Sequence, residues 1–203
     1  MKKLNIFTLS SIAMAFVPAV NAAEFGLGAT FNNNEATIYL PITSNNLLIE
    51  PSIRYGRSNE EVEVLPSASS DGQRINEIVE VAEIGLGVFI DSDIQESFKL
   101  YYGARTGYIK QKNNQKNTTL QNGITHSNTK ADGFFIQPTI GISYAFTERS
   151  SLALESGVKV AQLKGSTDRA TRATHSGFIF NESLNTKKTV STTETNIVLR
   201  HMF

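Results

Sequence analysis

From Gly133 to Phe146 the chain alternates, with Phe134, Ile136, Pro138, Ile140, Ile142, Tyr144 and Phe146 on one phase and Phe135, Gln137, Thr139, Gly141, Ser143 and Ala145 on the other. Successive side chains of a β-strand point to opposite faces, so this spacing makes one face almost wholly apolar and the other mostly small or polar. The same alternation between turn signals predicts eight strands, at about 25–32, 36–43, 47–57, 77–90, 98–109, 133–146, 151–162 and 193–203. The apolar phase runs through Phe25 and Leu27, Ile38 and Leu40, Ile53 and Tyr55, Ile84 to Ile90, Leu100 and Tyr102, Leu152 and Leu154, and finally Ile197 and Leu199. Strands of this length cross a bilayer if their sheet closes on itself.

The connections alternate in length. Those at Ser44-Asn45-Asn46, Asp91 to Ser97 and Thr147 to Ser150 are short. Those at 58–76, 110–132 and 163–192 are long and rich in Ser, Thr, Asn and Lys, while the first hairpin, Asn32 to Glu35, is short where a long one is expected. Short turns on one side and long loops on the other are the habit of transmembrane barrels, and an even strand count brings both chain ends to the short-turn side.

A soluble ligand-carrying barrel of the lipocalin type alternates too, with its apolar phase turned inward. The second phase favours the membrane alternative. It holds Gly56, Gly85, Gly87, Gly103, Gly107, Gly141, Ser143 and Gly157, residues suited to a narrow lumen rather than to a solvated exterior. Phe25, Phe98, Tyr108, Phe134, Tyr144, Phe146 and Phe203 gather at strand ends, as girdles at two interfaces require. Pro41, Pro51 and Pro138 fall inside these strands, where a closed sheet has no free edge for a missing N–H, so β-bulges are expected there.

The segment before the first strand reads as an export signal. Lys2 and Lys3 precede an apolar run from Ile6 to Val17, and Val20-Asn21-Ala22 offers small residues for cleavage after Ala22, with Ala23 the alternative. The run stops at Pro18, short of the roughly 18 to 20 residues that a spanning helix needs. This divides the chain into a removed signal, 1–22, and a barrel, 23–203. The whole chain has 19 basic and 19 acidic side chains, and loss of Lys2 and Lys3 leaves a slightly acidic product with no suggestion of a nucleic-acid partner. With no cysteine, neither disulfide scaffolds nor thiolate metal sites are available.

With these features in place, the chain resembles the small eight-stranded outer-membrane barrels of Gram-negative bacteria, the OmpA-transmembrane and OmpX type. The resemblance spans Phe25 to Phe203, and its most specific element is the final strand, where Thr195, Ile197, Leu199, His201 and Phe203 alternate to a terminal aromatic. It implies an all-β, antiparallel, up-and-down transmembrane barrel in the outer membrane, akin to the porin family. It also implies recognition of the strand ending at Phe203 by the outer-membrane assembly machinery. His201 departs from a purely apolar outward face, and no periplasmic peptidoglycan-binding domain is expected.

The inward phase carries Glu50, Glu83 and Glu155 with Arg54, Lys99, Arg105, Lys159 and Arg200. Buried charges must pair, so an internal network is expected, and counting along neighbouring strands without stagger predicts an Arg54–Glu83–Arg105 layer. An eight-stranded interior is just wide enough for side chains, which favours a charged plug over a selectivity filter.

Loop 110–132 carries Lys110, Lys112, Lys116 and Lys130 against Asp132. Loop 163–192 carries Lys164, Arg169, Arg172, Lys187 and Lys188 against Asp168 and Glu182. Three readings of these loops stand: a structural or surface-exposed barrel, an adhesin or ligand-binding barrel meeting lipopolysaccharide or anionic host ligands, and a lipid-modifying enzyme built on His175, Ser176 and Glu182. The last lacks a nucleophile-elbow pattern, so no catalytic residue is assigned. His126, His175 and His201 lack zinc spacing, Gly26-Leu27-Gly28 and Gly85-Leu86-Gly87 read as small lumenal residues, and Asp91-Ser92-Asp93 reads as a polar turn rather than a calcium loop. No metal and no cofactor are expected.

Overall fold

The computed structural model describes residues 23–32, 34–64, 72–119, 123–172 and 179–203, so the signal segment lies outside the described residues. Nine strands follow in chain order: β1 (Glu24–Asn32), β2 (Glu35–Tyr39), β3 (Ile42–Ser44), β4 (Leu47–Val64), β5 (Gln73–Gln95), β6 (Phe98–Thr119), β7 (Gly123–Ala145), β8 (Ser150–Arg172) and β9 (Ile179–Met202). Each pairs antiparallel with its neighbour, and pairing of β1 with β9 closes the ring. Strands β2 and β3 are two halves of one stave, since both keep a single register against β1 and against β4. The barrel therefore has the eight staves that the alternation predicts.

The interruption between β2 and β3 has a covalent cause. Gly26 N–H donates to the Pro41 carbonyl at 2.9 Å, and Leu40 N–H donates to the Pro51 carbonyl at 2.9 Å. Each proline sits in a pair that normally exchanges two hydrogen bonds and returns none, because its nitrogen carries no hydrogen. The bulges expected at Pro41, Pro51 and Pro138 do not occur. The registers run through all three positions unshifted, so each proline costs a donor rather than a residue. The shift that does occur lies between Asp93 and Gln95, beside the Glu96-Ser97 turn, so Asp91-Ser92-Asp93 belongs to β5 and not to the turn.

Orientation follows the predicted phase. Phe134 is 72% exposed and Ile53 64%, whereas Glu50 is 0% and Glu155 1% exposed. Most of the large apolar side chains face outward around the whole ring while the ion-paired charges of the strand cores are enclosed, the reverse of a soluble carrier. Phe98 against Tyr144 at 4.9 Å, and Tyr108 against Phe134 at 5.3 Å, sit at opposite ends of this apolar belt. Both described chain ends meet at the short-turn rim, where Phe203 N–H donates to the Phe25 carbonyl at 2.8 Å.

The segments 58–76, 110–132 and 163–192, expected as loops, are mostly strand. β4 to β9 continue in register far beyond the apolar belt, and the connections left between them are short. Most positions on both faces of these extensions are polar, with scattered exceptions such as Val62, Ile78, Ile179, Phe180 and Leu184, so the period-two signal is weak, and their Thr content suits a pleated surface. Thr125 and Thr171 hydroxyls lie 3.2 Å apart across β7 and β8, and those of Thr129 and Thr167 lie 2.9 Å apart. Because only two residues separate the ends of β1 and β2, the projection is a sheet of β4 to β9 rising from one side of the ring.

Candidate functional site

Following ladder partners once around the ring displaces the register by roughly ten residues, the stagger that tilted strands need for closure. This stagger divides the predicted Arg54–Glu83–Arg105 layer. Arg54 and Glu83 are direct ladder partners, with Nη1 3.5 Å from the carboxylate. Arg105 instead pairs across the ladder with Gly87, nearer the short-turn rim, and reaches other acids.

The network nearer that rim contains two arginines and two glutamates. Arg105 donates to Glu155 at 2.7 Å and to Glu50 at 2.5 Å, while Arg200 donates to Glu50 at 2.8 Å and to Glu155 at 2.6 Å. The Tyr101 hydroxyl donates to Glu155 at 2.7 Å. Each guanidinium thus bridges both carboxylates, and the cluster is neutral. Aromatic faces complete its enclosure: Arg105 lies 4.8 Å from the Phe89 ring centre and Arg200 5.1 Å from that of Tyr101.

The second network, farther along the axis, joins two bases to three acids. Lys159 contacts Glu83 at 2.8 Å and Glu194 at 2.9 Å, and Arg54 contacts Glu194 at 2.9 Å as well as Glu35. Glu35 and Glu194 were absent from the sequence-derived inward set. Glu35 borders the first turn, and Glu194 interrupts a Thr-rich run whose inward phase is otherwise unmarked; strand parity counted back from Arg200 is the signal that locates Glu194. Lys99, which that set included, stands at the short-turn rim, half-exposed and 3.8 Å from Asp93.

The lumen is also less purely small and ionic than expected. Tyr39, Leu48, Phe89, Tyr101, Ala153 and Val198 form one enclosed apolar cluster, and Ile109, Phe135, Ala161 and Leu163 form another. The glycines make room for this bulk: Gly141 lies directly across the ladder from Tyr101, whose ring occupies the place a Cβ at 141 would take. The cavity beside the second network is about 30 Å³, and that at the short-turn mouth about 150 Å³.

Outside the lumen, the projecting sheet bears a trough of about 810 Å³ lined in part by His126, Asn128, Asp168 and Glu182. His201 is at the opposite rim, with Nδ1 2.9 Å from the Ser150 hydroxyl. His175 and Ser176 lie outside the described residues, so of that trio only Glu182 is placed, on β9 opposite Arg169.

Comparison with solved structures finds the same architecture. The chain is similar to a major outer membrane protein from Thermus thermophilus, with a TM-score of 0.56 and 12% identity over 90% of this chain and 100% of that one. Acinetobacter baumannii CarO aligns at a TM-score of 0.35 and 9% identity over 89% of this chain and 95% of that one, too distant to carry an argument. The first likeness establishes the class of fold, an antiparallel barrel of the outer-membrane type. No family model matches the chain, and no curated protein matches it by sequence.

Proposed function

We propose that this chain is an integral outer-membrane barrel of the small OmpA-transmembrane and OmpX type, delivered by a cleaved signal over 1–22. In this reading it is without catalytic activity, its filled lumen does not conduct, and its projecting hairpins present a surface outside the cell. One observation carries the reading: the polarity of the barrel is inverted, with large apolar side chains outward around the ring and ion pairs on the axis. Hydrocarbon is the solvent that such an exterior matches, and a closed sheet has no free edge, so that apart from the donors the prolines lack its backbone groups pair along the ladders. The ladder closure beside Phe203 is the element offered to the assembly machinery.

The test combines two measurements on the mature chain refolded into lipid. Unheated samples are expected to migrate faster in gels than heated ones, and planar bilayers are expected to show no discrete conductance steps. Stable steps in the unmodified protein would replace the plugged reading with a pore. Adhesion to anionic ligands is a second reading favoured by the lysines on the hairpins. Loss of cell or glycan binding on removal of 163–192 would support it.

A further inference from the structure

The outward faces of β6 to β9 change character abruptly just past the apolar belt. On β6 the outward phase passes from Tyr108 to Lys110 and Lys112, on β7 from Phe134 through Asp132 to Lys130, on β8 from Val160 through Gln162 to Lys164, and on β9 it reaches Lys187. Two of the resulting cross-strand pairs are like-charged: Lys112 lies directly opposite Lys130, and Lys164 directly opposite Lys187. Such pairs are unfavourable in isolation. Little within the chain relieves them. Lys112 is 3.8 Å from Glu80, whereas Lys130, Lys164 and Lys187 have no carboxylate within ion-pair distance among the described residues. The Asp132 carboxylate, which lies between Lys110 and Lys164 on the ladder, accepts a hydrogen bond from the Tyr108 hydroxyl.

The stagger lifts each cross-strand row away from the belt between β6 and β9, which brings Lys112, Lys130, Lys164 and Lys187 to one band above the Tyr108–Phe134 pair. Above that band is the trough. Ile78, Asn114, Asn128, Asp168 and Ser183 form one outward cross-strand row along it, and all five line it. The Asn128 amide oxygen is shielded from solvent with no partner among the described residues. One surface thus offers, in order of height, hydrocarbon contact, a cationic band and an amide-rich concavity. The other wall has no such sequence: past Tyr55 the outward phase of β4 leads from Arg57 to Glu61 and Glu63.

We propose that this face of β6 to β9 docks the phosphorylated sugar headgroup of an outer-leaflet glycolipid, with its phosphates on Lys112, Lys130, Lys164 and Lys187 and its sugars in the trough. The acyl chains continue down the apolar belt over Phe134, Ile136 and Val160. Phosphate between opposed lysines turns two repulsive pairs into charge-assisted hydrogen bonds. Continuity with the lipid-facing belt selects a lipid over a soluble polyanion. The inference rests on the membrane-barrel reading above.

The test uses the mature barrel in detergent, titrated by calorimetry with bisphosphorylated lipid A and with its dephosphorylated form. Combined Lys112→Ala, Lys130→Ala, Lys164→Ala and Lys187→Ala substitution should weaken binding of the bisphosphorylated lipid roughly tenfold or more, while the matching Lys→Arg set retains it. The unmodified barrel should show a similar loss with the dephosphorylated lipid. Equal affinity for the two lipids, or no loss in the alanine set, overturns the proposal, as does binding of a soluble sulfated polymer in place of lipid A. Heat-dependent gel migration is read in parallel on every variant. Its absence in the unmodified chain defeats the barrel reading itself, whereas normal migration without phosphate discrimination defeats this inference alone.

Discussion

Glu83 and Glu155 share residue type, phase and burial in the lumen, yet their removal has different consequences. Glu155→Ala leaves Arg105 and Arg200 enclosed with Glu50 as their sole acid, an uncompensated positive charge expected to cost about 3–5 kcal/mol. Glu83→Ala leaves Arg54 and Lys159 with Glu194 and Glu35, a balanced set, so its cost should be clearly smaller. This revises the expectation from the unstaggered layer, in which loss of Glu83 strands Arg54 and Arg105. Denaturant midpoints in lipid vesicles, followed by gel migration, give the order directly. Equal midpoints for the two variants would contradict the divided network. Gly141→Val tests the apolar fill in the same assay: its side chain enters the space of the Tyr101 ring, and a loss of roughly 1–3 kcal/mol is expected from overpacking.

The hairpins differ most from what alternation alone suggests at the scale of elements. Lys116, Lys130 and Arg169 each have ladder partners on both sides, so a protease must first open the sheet to take their backbone as an extended substrate. Trypsin applied to intact cells or vesicles should therefore spare all three bonds under conditions that digest an unfolded control. Rapid cleavage after Lys130 would restore the loop reading of 110–132. The alternation was legible wherever one face of a strand is apolar and the other small or polar, as in Phe134 to Phe146. It failed for 110–119 and 123–132, where water meets both faces and Asn, Thr and Lys satisfy either. The prolines misled in the opposite sense, since a lost hydrogen bond at Pro41 or Pro51 disturbs no side-chain parity and so needs no bulge.

For the molecule as a whole, the inverted polarity makes a quantitative demand on the belt. Ile140 faces outward, 53% exposed, in the middle of the apolar run of β7. Ile140→Arg should destabilise the barrel by about 2–4 kcal/mol in lipid vesicles if that position lies near the bilayer midplane. The same change at Asn114, on the projecting sheet, should be nearly neutral. Comparable losses at both sites, read from denaturant midpoints, would mean that the apolar ring does not face lipid.

Parity along each strand was enough to set the eight staves, the phase of each belt-spanning strand and the mainly apolar exterior; it did not show that Glu35 and Glu194 join the inner network or that Phe89 and Tyr101 fill the lumen. Parity survives tilt and stagger because it is a local property of each strand. Which inward charges meet is not local. Arg105 reaches Glu50, about 55 residues earlier, and Glu155, about 50 later, because closure staggers the strands and side chains cross the axis. The height of the hairpins likewise came only from the tertiary structure, since pairing with a neighbour, rather than contact with lipid, holds those polar segments extended.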